Sequence, residues 1–145
     1  MKRRYRTVAL WLGLGLLTGC AAIGLPQDQR EKLASIAYPS EAPYAGDLDI
    51  ILMRRGVAIE LVNRTPQAYT DLQLWLNRQY VTPVAQLPIG KGGLLPLTFC
   101  INQYQEPFPL GGLLRSDKGF PVVQAELYDP AAQVRYRLIV QQPLE

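Results

Sequence analysis

The chain has 145 residues, a length typical of one domain, and carries 15 Lys and Arg against 12 Asp and Glu. Four of the basic residues, Lys2, Arg3, Arg4 and Arg6, stand at the very start, and removing four of 15 leaves 11 basic against 12 acidic. Such a balance argues against nucleic-acid binding, which needs a clustered basic face. The chain has no histidine, so the commonest general base and metal ligand is missing.

The N-terminal residues have the layout of an export signal. Basic residues cluster at positions 2–6, an apolar run follows at 8–17, and Leu17-Thr18-Gly19-Cys20 comes directly after it. The apolar run is too short to cross a bilayer as a stable helix. The four residues Leu17-Thr18-Gly19-Cys20 resemble the lipobox of bacterial lipoproteins, and the chain is similar in plan to small envelope lipoproteins.

This resemblance implies that residues 1–19 are a signal peptide, cut before Cys20, and that Cys20 carries the lipid. In that family the next residue influences sorting, and Ala21 implies the outer membrane. An uncut or non-lipidated signal peptide is the alternative. Because a multiply acylated cysteine holds a protein without a transmembrane helix, we expect a water-soluble body tethered to the periplasmic face of the outer membrane.

Residues 20–46, which we call the tether, have the composition of a linker. They are mostly polar and include three prolines. Within them, residues 27–37 predict a short helix with Leu33, Ile36 and Ala37 on one face, which forms only if it docks on the body. If the tether is flexible instead, its reach is about 25–30 Å.

Residues 57–80 predict two strands paired at the centre of an antiparallel sheet. In the first run Val57, Ile59 and Leu61 fall on one face. The second run alternates in the same way, with its leucines inward at 72, 74 and 76 and with Trp75 on the opposite, polar face.

The remaining pattern, from residue 47 to 142, is also that of strands. Further strands are predicted at 48–54, 94–101, 120–128 and 133–140, an edge strand or ordered loop at 80–93, and an irregular loop at 102–116. About seven short strands indicate an all-β fold, a single Ig-like antiparallel β-sandwich, preceded by the signal peptide and a partly helical tether. Asn63-x-Thr65 followed by Leu72-x-Leu74-x-Leu76 resembles the Ig-like modules of exported bacterial proteins.

The side chains offer little catalytic chemistry. Without histidine no Ser-His-Asp arrangement is possible, and serine occurs only at Ser35, Ser40 and Ser116. Cys100 has no partner within the chain if Cys20 is lipidated. It is either a core residue, which we favour, or it forms an intermolecular disulfide or acts as a redox-active thiol.

The acidic residues could form an acid–base pair or a calcium site, but a solvated strand edge is favoured for Asp47 and Asp49. We therefore predict no enzyme activity, no metal and no cofactor. The carboxylates considered are Asp47, Asp49, Asp117, Glu126 and Asp129.

The candidate binding surface is aromatic and consists of Trp75, Tyr104, Phe108 and Arg78. The alternative for Trp75 is burial under the 102–116 loop. We expect a non-catalytic binding or accessory role toward another envelope protein or a cell-wall polymer. The alternatives are a carboxylate-dependent glycan hydrolase or lyase, and a structural subunit of a secretion or transport assembly.

Overall fold

The computed structural model describes residues 24–111 and 120–141. The predicted signal peptide, Cys20, and the loop residues Ser116 and Asp117 lie outside the described residues.

The described residues form one α-helix, one short 3-10 helix and seven strands. In chain order these are α1 (Gln27–Ala34), β1 (Tyr44–Arg55), β2 (Ala58–Asn63), β3 (Tyr69–Leu76), β4 (Tyr80–Leu87), β5 (Gly90–Pro96), the 3-10 helix (Leu97–Phe99), β6 (Ala125–Asp129) and β7 (Val134–Gln141).

All seven strands belong to one sheet, in the order β4-β3-β6-β7-β1-β2-β5. Neighbours pair antiparallel, except that β1 and β7 run parallel. The 12-residue β1 joins the two halves, because it pairs with β2 on one side and β7 on the other. The sheet is strongly curled, and its two edge strands, β4 and β5, line opposite sides of one apolar slot. The predicted all-β, sandwich-like fold of about seven strands is confirmed, with one parallel pair added.

The main core lies inside the rolled sheet and is built by the alternating strands. The inward rows at Ile59 and Leu61 of β2, and at Leu72, Leu74 and Leu76 of β3, are buried as predicted. Each fully buried aliphatic side chain stabilises the fold by about 1.5–3 kcal/mol. The main core comprises Ile50, Leu52, Ile59, Leu61, Leu72, Leu74, Leu76, Tyr80, Val84, Leu87, Leu97, Cys100, Phe108, Val122, Ala125, Leu127 and Leu138.

The predicted pairing of the two runs within residues 57–80 is wrong. The first run, β2, pairs with β1 and β5, whereas the second, β3, pairs with β4 and β6. The link between them crosses from one half of the sheet to the other. It is held by Asn63, whose Oδ1 accepts hydrogen bonds from the backbone N–H and hydroxyl of Thr65 and whose amide donates to the carbonyl of Gln67.

Several further boundaries differ from the prediction. The second run ends at Leu76, before the β3–β4 turn, and the strand expected at 120–128 begins only at Ala125. Val57 lies exposed in the β1–β2 turn, not in the core row. The strand expected at 94–101 instead begins at Gly90 and gives way to the 3-10 helix at Leu97. Glycine suits this part of β5, because a Cβ at Gly92 would lie 3.1 Å from the carbonyl oxygen of Leu61, where the β2–β5 register shifts.

For residues 80–93, the alternative of an edge strand is confirmed over Tyr80–Leu87, since β4 ends the sheet, whereas residues 90–93 belong to β5. Val81 turns its backbone groups away from β3 and exchanges both hydrogen bonds with Ile101. Because backbone groups alternate sides along an antiparallel strand, Pro83 and Ala85 also face outward. Proline, which lacks an N–H, is tolerated there.

The tether folds back onto the outer face of the sheet. Helix α1 falls inside the expected range 27–37 and ends at Ala34. Its Leu33 is buried with Trp75, Val81 and Ile101 in a second cluster of buried side chains, which we call the outer-face cluster. The face of β3 that sequence alternation marks as polar is therefore covered by this helix.

Candidate functional site

A groove of about 520 Å³ opens on the outer face beside α1. Three segments form its walls. They are residues 34–38 at the end of the helix, the β3–β4 turn, and residues 101–104. Its floor includes Trp75, Val81 and Ile101 of the outer-face cluster. The groove exists because the tether stands against the sheet, so each wall comes from a different part of the chain.

The β3–β4 turn holds Arg78 at the groove in an unusual backbone conformation. Asn77 and Arg78 have φ of 53° and 58°, the left-handed values of a tight hairpin turn in which glycine is preferred at the second position. Asn77 fixes the turn, because its side chain bonds the backbone of Pro121, Val123 and Gln124. Arg78 is held in turn by an ion pair with Glu126, at 3.2 Å from Nε to Oε1.

Glu126 is the electrostatic centre of the site. It is buried on β6 directly opposite Trp75 of β3. Its Oε1 accepts hydrogen bonds from Gln124 and Arg78, and its Oε2 accepts from the Tyr38 hydroxyl and, at 3.4 Å, from Arg135. A buried carboxylate is tolerated only when paired and hydrogen-bonded, and here both oxygens have two donors.

Tyr38 connects this network to the tether. Its ring meets that of Trp75 edge-on, with centroids 5.3 Å apart, and lies under the guanidinium groups of Arg78 and Arg135. Burial and the Glu126 carboxylate raise the pKa of Tyr38, and the neighbouring Arg135 opposes that rise. Arg135 also donates to the carbonyls of Ser40 and Ala42, so one side chain fastens the tether at three points.

The far wall of the groove is a compact hairpin tip, residues 102–106. The Asn102 side chain accepts hydrogen bonds from the backbone of Tyr104 and Glu106 and donates to the Glu106 carboxylate. Gln27 at the start of α1 donates to the side chain of Gln105. Tyr104, at the apex, is 72% exposed.

No family model, curated protein or solved structure matches this chain. The site is therefore interpreted from its own geometry.

The structure separates the four residues of the predicted binding surface. Trp75 is only 3% exposed and Phe108 only 1%, so neither offers an open aromatic surface. Trp75 is covered by α1 and Tyr38 and forms part of the groove floor, whereas Phe108 packs against Tyr80 in the main core. Arg78 and Tyr104 are exposed, and both line the groove.

Sequence reasoning missed the role of two residues, Tyr38 and Glu126. Tyr38 stands beside a proline in a polar linker, and Glu126 was considered only as a candidate acid. Their hydrogen bond spans 88 positions, so nothing local in the sequence announces it. The usable signal was Glu126 itself, because an acidic residue within an apolar strand needs a buried partner.

The other chemistry-bearing side chains have ordinary environments. Cys100 is completely buried, and burial raises the pKa of its thiol to about 12, which suits a core residue. Asp47 and Asp49 are exposed, and Asp49 lies 3.5 Å from Arg64. Among residues 24–111 and 120–141, no three His, Cys, Asp or Glu side chains converge as a metal site would require. Likewise, no helix of the described parts has the length and apolarity to cross a membrane.

Proposed function

We propose that this chain is a lipid-anchored envelope protein that binds, without catalysis, a segment of another envelope protein or of a cell-wall polymer in the groove beside α1. The lipobox Leu17-Thr18-Gly19-Cys20 supports the anchor, with the lipid on Cys20. The anchor places the body at the periplasmic face of the outer membrane.

The observation that carries the binding role is the chemistry of the groove. Its walls combine the exposed aromatic Tyr104, the half-exposed guanidinium of Arg78, and the side-chain amides of Gln79, Asn102 and Gln103. A concave site with aromatic surface and a few fixed polar groups is typical of ligand recognition. The network around Glu126 holds the β3–β4 turn and the tether in place, and the hydrogen bond from Gln27 to Gln105 links the tip to α1. These contacts exist before any ligand arrives, which lowers the ordering cost of binding.

The network also favours binding over the hydrolase alternative. Glycoside hydrolysis needs two carboxylates that flank the bond to be cut. The buried acid nearest the groove, Glu126, already has both oxygens engaged by Tyr38, Arg78, Gln124 and Arg135.

The anchor is tested by the intact mass of the protein extracted from membranes. We expect residues 20–145 plus a diacylglycerol and an acyl chain. Cys20→Ala should abolish the lipid mass, while Cys100→Ala should retain it. An unmodified wild-type mass would refute the anchor.

The groove is tested by site-specific photocrosslinking in the native envelope. A photoreactive amino acid replaces Gln79, which lines the groove, or Gln67, an exposed glutamine of the β2–β3 link that lines neither the groove nor the slot between β4 and β5. We expect one defined product, protein or wall fragment, from position 79 and none from position 67. Equal products from both positions would contradict a binding role for the groove.

A second candidate is a structural subunit of a larger assembly, which the open sheet edges favour. The β4 and β5 edges border a slot of about 300 Å³ lined by Leu61, Val84, Leu87 and Leu95 together with backbone of both strands. An added strand from a partner would close the sheet. Native mass spectrometry of the detergent-extracted protein distinguishes this role, because it predicts a stoichiometric complex.

A further inference from the structure

The strand directions gather several loops at one end of the body. Strand β4 starts at Tyr80, and Ile101 pairs antiparallel with Val81, the second residue of that strand. The chain after Ile101 therefore continues past the start of β4, where the 102–106 tip projects. The β1–β2 turn and the residues leading into β6 lie at the same end, since β1 and β3 run toward it and β6 runs away from it. We call this the tether end.

The tether end carries exposed apolar side chains. Tyr104 is held at the apex of the tip by the Asn102 hydrogen bonds, and Val57, Phe120 and Val123 are exposed on the neighbouring segments. These segments are cross-linked, because Arg54 donates to the carbonyl of Phe120 and Asn77 bonds the backbone of Val123. The tether end therefore presents four exposed apolar side chains on segments that are held by hydrogen bonds.

The position of the N-terminal chain limits how far the tether end can lie from a lipid on Cys20. Leu25 packs against the outer-face cluster, and Gln27 bonds the tip through Gln105. Five peptide steps separate Cys20 from Leu25, and a chain spans at most about 3.3–3.6 Å per residue, so the distance is at most about 18 Å. A lipid on Cys20 therefore keeps the tether end within a few residue lengths of the headgroups.

We propose that the tether end rests on the bilayer surface, with Tyr104 in the headgroup region; this rests on the proposed lipid anchor. Tyrosine suits that layer, because its ring is apolar and its hydroxyl is polar. A few exposed side chains do not bind a membrane alone, so the contact orients a body that the lipid already holds. The groove, whose far wall is the same tip, then opens beside the membrane.

The experiment measures label depth in the full lipidated protein, reconstituted in vesicles of phosphatidylethanolamine and phosphatidylglycerol. Tyr104→Cys and Thr70→Cys each receive an NBD fluorophore, Thr70 being an exposed residue of β3 at the opposite end. Background labelling is low, because Cys20 is blocked by lipid and Cys100 is buried. Quenching by nitroxide-bearing lipids is then compared between the two positions.

We expect quenching at position 104 to exceed that at position 70 by about threefold or more, with a blue-shifted emission at 104 only. Equal quenching at both positions, in protein that floats with the vesicles, would overturn the orientation and leave the anchor standing. Protein that carries no lipid and does not float would overturn both. Shielding of position 104 only after another envelope protein is added would make this end a protein-docking surface instead.

Discussion

The main core and the outer-face cluster of this protein are assembled in opposite ways. The main core is formed by alternating side chains of neighbouring strands within the rolled sheet. The outer-face cluster joins Leu33 of the tether to Trp75, Val81 and Ile101, and a polar network around Glu126 borders it. The main core buries mostly aliphatic side chains. The outer-face cluster packs aromatic and aliphatic side chains beside the ion pairs of the buried Glu126.

The difference separates what makes the fold from what makes the site. The main core determines whether the sheet exists at all. The outer-face cluster determines whether residues 24–43 lie on the sheet. It therefore also determines whether the groove has the wall that residues 34–38 form. We therefore expect substitutions in the main core to lower global stability, and substitutions in the cluster to release the tether first.

The largest effect is expected for Leu74→Ala, which removes a completely buried side chain from the main core. Loss of transfer free energy together with the cavity should lower the free energy of unfolding by about 3–4 kcal/mol. Urea unfolding followed by circular dichroism measures this. Leu94→Ala, at an exposed position of β5, is the control and should change it by less than about 0.5 kcal/mol.

Glu126→Gln tests the polar network. Neutralising the carboxylate leaves Arg135, whose side chain is 15% exposed, without its charged partner. We expect a loss of about 2–3 kcal/mol, since breaking a buried pair strands the remaining charge. Hydrogen exchange should rise most in residues 36–43.

The matched control for Glu126→Gln is Asp49→Asn, which breaks the exposed pair with Arg64 and should cost less than about 1 kcal/mol. If the two variants were equally stable, the Glu126 network would not hold the tether.

Leu33→Ala should loosen the helix while leaving the sheet intact. Removing this contact should cost about 1–2 kcal/mol, less than in the main core because the site lies at the surface and can relax. Trp75 is the single tryptophan once residues 1–19 are removed, and its fluorescence should shift to longer wavelength. An unshifted emission would contradict shielding of Trp75 by α1.

Tyr38→Phe is expected to have the smallest effect, about 1 kcal/mol at neutral pH. It removes two hydrogen bonds, the one donated to Glu126 and the one accepted from Arg135, but leaves those two charged groups in contact at 3.4 Å. Because the folded-state pKa of Tyr38 is raised, its contribution is complete below its ordinary pKa of about 10 and is lost as the pH rises through the folded value. The stability difference between wild type and variant should therefore shrink at alkaline pH. A stability difference that stays constant as the pH rises, until the protein unfolds, would contradict this role of the Tyr38 hydroxyl.

Local patterning was enough to predict the inward rows of β2 and β3. The rows at Ile59 and Leu61 and at Leu72, Leu74 and Leu76 followed from alternation, and the prolines after Tyr80 indicated the edge strand. Alternation identifies the inner face of a strand but not its neighbour, because pairing is decided by contacts distant in sequence.

The site was less predictable for the same reason. Trp75 alternates with the leucines and should face water, yet a helix more than 40 positions earlier covers it. Arg78 and Tyr104 were both named for the binding surface, but the sequence placed Arg78 inside a strand that continues to residue 80, whereas Arg78 lies in the β3–β4 turn. The hydrogen bonds that hold Arg78 at the groove, those of Tyr38 and Glu126, depend on the tether folding back onto the sheet.

The unclosed sheet has a consequence for this protein at high concentration. Free edges at β4 and β5 invite neighbouring copies to stack strand upon strand, which is the first step of aggregation. Pro83 removes a donor from the outward row of β4, and the register shift at Gly92 interrupts the repeat of β5. Two small irregularities thus make both edges poorer templates for strand pairing between copies.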